Sequence, residues 1–184
     1  MIRTKDRAFW IGASDTKYVM GNWETPTFAV FWMEKLGLHK STFESRAMNV
    51  GTHLEHRILA KVPRVIQTDL QLTFPELALR VNYDGTGENY ICEVKTSSKP
   101  FKVTKAYWQQ AQVEMYAWFR QYGVIPEMEI CAYMTSPDDY RNYFLPIDEE
   151  RMSFHKVEYD PKFIAEYLDK LKHLKWCMEK GVIA

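Results

Sequence analysis

Asp84, Glu93 and Lys95 are the residues whose types and spacing most directly suggest chemistry. They lie in residues 81–96, Val-Asn-Tyr-Asp-Gly-Thr-Gly-Glu-Asn-Tyr-Ile-Cys-Glu-Val-Lys-Thr. The stretch reads as two short strands joined by a Gly-containing turn, with Asp84 leaving the first strand. Side chains alternate along a strand, so Glu93 and Lys95 share one face while Cys92 and Val94 take the other. Two carboxylates and an ammonium at one end of a hairpin are costly to desolvate and add little to a core. Carboxylate oxygens suit hard divalent cations such as Mg²⁺, which takes one or two protein carboxylates together with water and substrate phosphate. A cation held there lowers the pKa of a bound water and neutralises charge developing on a phosphoryl group. A lysine two residues beyond the second carboxylate can orient or deprotonate that water. Read alone, the same residues also fit an Asp-Gly turn with an exposed Glu–Lys pair.

The flanking elements add two further groups. Residues 41–61 read as a helix capped within 42–45 and ended by Pro63, with Ala47, Val50, Leu54 and Ile58 on one stripe. Glu55 falls at the edge of that buried face, able to add a third carboxylate or simply to sit on the helix surface. Gly51 costs such a helix about 1 kcal/mol relative to Ala, which suggests close approach of another backbone or a ligand. After the break at Lys99-Pro100, residues 103–122 carry the longest helical pattern, apolar over most of its circumference. Gln112 sits inside that apolar surface, where a buried amide must find hydrogen-bond partners.

Around these elements the chain reads as helices, a strand meander, a long helix, strands and a last helix. A short helix over 16–20 has Ser14 as a candidate cap, and a second begins at Thr25-Pro26 and stops at Gly37. Residues 65–74, 77–83 and 90–96 alternate as strands of an antiparallel meander. Two more strands are expected at 128–134 and 142–147, an edge strand at 154–159, and a helix from Asp160-Pro161 to Gly181. That order fits a single α/β domain over residues 1–184, a mixed sheet flanked by helices.

At 184 residues and 46% hydrophobic, the chain can bury a sizeable core. It has no run of about 18 apolar residues, so no membrane span is expected. Its basic start lacks an apolar signal core, and three widely spaced cysteines argue against a disulfide framework, which together make a reducing cytoplasm the expected location. The formal net charge is zero, so a nucleic-acid partner would need local basic patches. Lys95, Lys99, Lys102 and Lys105 form such a run, equally readable as a solvated edge. His53 and His56 read best as solvated helix residues, Gly85-Thr86-Gly87 as a turn, and Trp10 and Trp23 as weaker candidates for stacking on a terminal base.

Taken in order, Gly51-Thr52-His53-Leu54-Glu55, Asp84-Gly85, Glu93-Val94-Lys95-Thr96 and Gln112-Val113-Glu114-Met115-Tyr116 resemble the PD-(D/E)XK nuclease superfamily. Within it the chain is similar to the YqaJ-like viral recombinases, the group of the lambda exonuclease. Ile11-Gly12-Ala13-Ser14-Asp15, Thr25-Pro26 and Glu34-Lys35-Leu36-Gly37 resemble that group's opening segment. The likeness spans about residues 7–120; Val94 fills the variable position and the Asp lacks a preceding Pro.

The resemblance implies a PD-(D/E)XK restriction-endonuclease-like core and a Mg²⁺-dependent deoxyribonuclease, with Mn²⁺ able to substitute. Asp84, Glu93 and the carbonyl of Val94 would hold the metal, with Glu55 binding or supporting it. Lys95 would position the attacking water. Gln112, with Gln110 as the competing register, would contact substrate or the lysine, and Tyr116 belongs to the same motif. Arg7 and Ser14 would bind the 5′-phosphate of a duplex end, although Arg3 and Arg46 are also available. The implied activity is a phage-type 5′-to-3′ exonuclease on linear double-stranded DNA in recombination. A structure-specific or restriction-type endonuclease and a non-catalytic DNA-end-binding module remain the alternatives. The same resemblance implies a ring-shaped trimer, a single-strand annealing partner, and phage or prophage origin in a bacterial host.

Overall fold

The computed structural model of the protein describes residues 8–39 and 45–184. Strands β1 (Ile11–Gly12), β2 (Gln67–Phe74), β3 (Leu79–Gly87), β4 (Tyr90–Ser97), β5 (Glu127–Met134) and β6 (Met152–Val157) make one mixed sheet. Among the described residues, five helices flank it: α1 (Thr16–Val19), α2 (Pro26–Lys35), α3 (Arg46–Leu59), α4 (Lys105–Tyr122) and α5 (Pro161–Lys180). The starts of the four longer helices are set by local hydrogen bonds. Thr25, Ser45, Thr104 and Asp160 each accept from a backbone N–H of the first turn. Gly37, Gly123 and Gly181 follow helix ends with positive φ, which glycine adopts without a Cβ penalty.

The sheet has a buried face on each side. On one, Val50, Leu54 and Ile58 of α3 pack against Tyr90, Cys92, Val94, Cys131 and Tyr133. On the other, α4 and α5 cover Val81, Tyr83, Ile91, Met128 and Ile130. Odd and even positions of β4 thus separate as alternation requires. Cys92 and Val94 face α3, and Ile91 faces α4. β4 and β5 run parallel, a pairing that needs a crossover, and α4 supplies it.

β3 carries the site because its partners leave part of it unpaired. β2 lies antiparallel along one edge of β3, from Phe74 opposite Leu79 to Gln67 opposite Thr86. β1 and β4 must therefore share the other edge. β1 pairs in parallel at Leu79 and Arg80, and β4 pairs antiparallel at Gly85, Thr86 and Gly87. Residues 81–84 face the gap between them. The β2 register also skips the position where Asp69 would oppose Asp84, and Asp69 has a left-handed φ of 57°.

Several sequence expectations need correction. β3 runs through Gly87, so Asp84 lies inside a strand, and the turn falls at 88–89 with Asn89 at positive φ. The glycines 85 and 87 serve close packing rather than a turn. A Cβ at Gly87 would lie 2.1 Å from the carbonyl oxygen of Arg64, and one at Gly85 2.6 Å from Leu59 Cδ2. Residues 142–147 form no strand, because the carbonyls of Tyr143, Phe144 and Leu145 accept from the Arg57 guanidinium instead of from a neighbouring strand. Asp15, rather than Ser14, closes the turn before α1, accepting from Gly12 N at 2.8 Å. Strand β1, only two residues long, gave no periodic signal.

Gly87→Ala is expected to destabilise the protein by roughly 1–3 kcal/mol through overpacking against the Arg64 carbonyl. Urea unfolding measures it, and an unchanged midpoint would mean that the chain after α3 does not press on β3.

Candidate active site

Asp84 sits where β3 and β4 diverge. The last bridged pair is Gly85 with Cys92, and beyond it the Asp84 carboxylate takes over, Oδ2 accepting from Val94 N at 2.8 Å. This bond ties the fork together and places Asp84 beside the next residues of β4. Glu93 and Lys95 project from β4 on its α4 side. Lys95 Nζ donates to Glu93 Oε1 at 2.6 Å, and both side chains are largely buried.

Gln110 of α4 reaches the same oxygen. Its Nε2 donates to Glu93 Oε1 at 2.6 Å and to Glu114 Oε1 at 2.7 Å, while its Oε1 accepts from Lys95 Nζ at 3.3 Å. Tyr107, near the start of α4, offers its ring face 5.1 Å from Lys95 Nζ. Glu55 comes in from α3 on the opposite face of the sheet and is half-buried. Its neighbour Gly51 allows the approach of β4, since a Cβ there would lie 3.2 Å from Thr96 Oγ1.

The electrostatics follow from this crowding. Burial, then the charges of Glu93 and Glu55, push the Asp84 carboxyl well above the usual range, against the smaller pull of Lys95 and the Val94 N–H. Glu55 is raised by burial and then by Glu93. Glu114, wholly inaccessible to solvent, is pushed well above the usual range by burial and then by Glu93. Burial pulls Lys95 down, but the charge and hydrogen bond of Glu93, with Asp84 and Glu114 beyond, outweigh it and leave Lys95 a firm ammonium. Carboxyl groups thus outnumber the cations that face them. A hard divalent cation is the species that oxygen donors in such excess accommodate. Among the described residues, the acidic and histidine side chains whose ligand atoms lie within 4.8 Å of one another are Glu55, His56 and Asp69, and Glu55 interacts through its charge with Asp84 and Glu93.

Not every residue expected at the site is there. Gln112 lies about 200° round the helix from Gln110. Its Nε2 donates to the Glu158 carbonyl at 2.7 Å and its Oε1 accepts from Asp160 N at 2.7 Å, so it is a satisfied core amide. Gln110, the competing register, is the glutamine at the cluster. Tyr116 is buried in the α4 core, its hydroxyl accepting from Arg120 at 3.0 Å. Arg7 and Arg3 lie outside the described residues. Arg46 donates to the Tyr140 carbonyl at 2.7 Å. His53 stacks on Tyr143 with ring centroids 4.6 Å apart. His56 pairs with Asp69 at 3.1 Å, and their ligand atoms and one of Glu55 lie within 4.8 Å of one another.

Ser14 lines a small polar cavity of about 90 Å³ in the gap between β1 and β4. Arg80, Asn82 and Lys35 share its wall with Gln110 and Glu114, and Trp10 stands at its edge. The buried Lys35 bonds Asp15 at 2.6 Å. Trp23 is instead tied to the Val19 carbonyl and stacked on Phe28 and His173. Arg80, Asn82 and Asp69 were not singled out from the sequence, and Glu114 only as a member of the 112–116 motif, with no role of its own. Only Glu114 had a usable signal, a charged residue one turn from Gln110 inside an otherwise apolar helix.

No protein-family model matches the chain, and no curated protein matches its sequence. Solved structures do share its architecture. The alkaline exonuclease LHK-Exo from Laribacter hongkongensis superposes with a TM-score of 0.70 at 20% identity, over 95% of this chain and 90% of that one. Its complex with dAMP gives 0.69 at 19% identity over the same shares. The phage-related exonuclease from Haemophilus somnus 129PT gives 0.65 at 17% identity, over 93% and 94%. The chain has the fold of these exonucleases. The α/β core expected from the motifs, a mixed sheet flanked by helices, is therefore the core observed, and these exonuclease structures share it.

The raised Asp84 carboxyl sets a pH dependence. A carboxyl whose folded pKa exceeds its unfolded value binds more protons in the native state between the two. Stability is then greatest below the unfolded value and falls as pH rises toward the folded one. Asp84→Asn keeps an oxygen for Val94 N and removes the charge. Without divalent cations it should melt above the wild type at about pH 8, with the gain shrinking toward about pH 4. Melting scans at both values test this, and a gain independent of pH would contradict the assignment.

Proposed function

We propose that the protein is a Mg²⁺-dependent deoxyribonuclease, a phage-type 5′-to-3′ exonuclease acting on linear double-stranded DNA. The observation that carries the reading is the convergence of Asp84, Glu93 and Lys95 at the β3–β4 fork. The fold of exonucleases around that fork supports it.

Asp84 and Glu93, with the Val94 carbonyl, would hold the cation, and Glu55 would complete or support the set. When bound, a divalent cation supplies a water of lowered pKa and charge neutralisation at the phosphodiester. Lys95, held as an ammonium by Glu93 and Gln110, acts by donating hydrogen bonds from Nζ. It can orient the attacking water or steady a phosphate oxygen. Tyr107 shields one side of that ammonium from water. Lys99, Lys102 and Lys105 are exposed beyond Lys95 and suit the DNA backbone.

The cavity beside the site would receive the 5′-phosphate of the duplex end. Ser14 offers a hydroxyl there, Arg80 and Lys35 offer positive charge, and Arg7 is the other candidate. The same reading includes a ring-shaped homotrimer threaded by DNA, a single-strand annealing protein as partner, and phage or prophage origin in the cytoplasm of a bacterial host. Among the described residues no helix is long and apolar enough to cross a membrane.

With Mg²⁺, 5′-phosphorylated linear duplex should be consumed to single strand while covalently closed circles survive. Asp84→Asn should abolish this, and Lys95→Ala should slow it by about 10²- to 10⁴-fold. End-labelled digestion reads the result. Rapid nicking of closed circles would indicate an endonuclease, and unchanged cleavage by both variants would remove the catalytic assignment.

A further inference from the structure

Glu114 is the one carboxyl of the cluster that no solvent reaches, and it stands one helical turn beyond Gln110 on α4. A group of this kind is costly to bury, and an apolar side chain would pack there at less cost. Among the described residues Glu114 Oε2 has no hydrogen-bond partner, and Oε1 has Gln110 Nε2 at 2.7 Å. The well-formed hydrogen bond of Glu114 is the one to Gln110, although the Glu93 carboxyl also lies close enough to act on it directly. Its orienting contact therefore runs through an amide.

A glutamine amide has two N–H donors and one carbonyl oxygen. Gln110 uses each against a charged group: one N–H for Glu93, the other for Glu114, and the oxygen for Lys95. A flipped amide would press its oxygen against two carboxyl oxygens and turn its N–H groups toward an ammonium. Glu114 therefore selects one orientation and one rotamer of Gln110. Without that acceptor, only Glu93 and Lys95 would restrain the amide, and they are the groups that must meet substrate.

We propose that Glu114 is a positioning residue for hydrolysis: by accepting from Gln110 it fixes the amide that aligns Glu93 Oε1 and Lys95 Nζ. The proposal rests on the reading of Asp84, Glu93 and Lys95 as the hydrolytic centre. Alignment of this sort acts on the reacting groups and leaves the DNA-binding surface alone, so it should appear in kcat and not in KM.

The test is steady-state digestion of 5′-phosphorylated linear duplex with Mg²⁺ by the wild type, Glu114→Leu, Glu114→Gln, Gln110→Leu and the Glu114→Leu/Gln110→Leu double variant, with melting curves for each. Glu114→Leu should lower kcat about 10- to 100-fold with KM within about threefold, as loss of a group that orients metal ligands does. Glu114→Gln keeps an accepting oxygen and should restore kcat to within about threefold of the wild type. The double variant should be no slower than Gln110→Leu, because Glu114 acts through that residue. Independent, multiplying losses would overturn the proposal, as would a Glu114→Leu protein of normal kcat. If the Leu variant does not fold, Glu114→Met takes its place in the same comparison. A wild type inactive on every DNA form would bring down the hydrolytic reading itself, whereas an active wild type with an indifferent Glu114 would bring down this proposal alone.

Discussion

Negative charge gathered in a low-dielectric gap is the constraint on which the rest of this structure depends. Glu93 acts electrostatically on Glu55, Asp84 and Glu114, and the ammonium of Lys95 lies among them. Left alone, carboxylates so placed repel and favour opening of the fold. Three devices oppose that here. Asp84 takes the Val94 N–H where the strand ladder stops, Lys95 bonds Glu93, and the Gln110 amide joins Glu93 to Glu114. Each bond also fixes a group that the proposed hydrolysis would use, so on that reading the cost of the cluster and its precision have one origin.

The sheet topology creates the place for this charge. β2 covers one edge of β3 almost completely, while β1 and β4 divide the other and leave residues 81–84 facing a gap. The opening segment closes one end of the gap with Ser14 and Asp15, and α4 closes the floor with Gln110 and Glu114. α3 approaches from the far side because Gly51 admits Thr96 of β4. The rigid core on both faces holds these elements, and loops contribute little to the cluster.

Much of this was legible in the sequence, and the failures have physical reasons. Alternation along β4 correctly put Glu93 and Lys95 on one face and Cys92 and Val94 on the other. The caps at Thr25 and Asp160 were visible as local patterns. The choice between Gln110 and Gln112 was not, because α4 is apolar nearly all round. Only the position of the loop before α5, which occupies both ends of the Gln112 amide, decides it. The expected strand at 142–147 had suitable alternation, but Arg57 captured its carbonyls through a contact far away in sequence. Asp69 carried no signal, since its left-handed backbone follows from the interrupted pairing opposite Asp84.

On the proposed function, the charge cluster gives the fold a reason to keep buried acids: they would hold a divalent cation. Titration calorimetry of Mg²⁺ or Mn²⁺ into the protein without DNA tests this most directly, repeated in buffers of different ionisation enthalpy. Because burial and neighbouring charge hold Asp84 well above its ordinary value and raise Glu55, binding should be saturable and should release protons, and Glu93→Gln should abolish it. Cation binding of equal strength and proton release in Glu93→Gln would contradict the account.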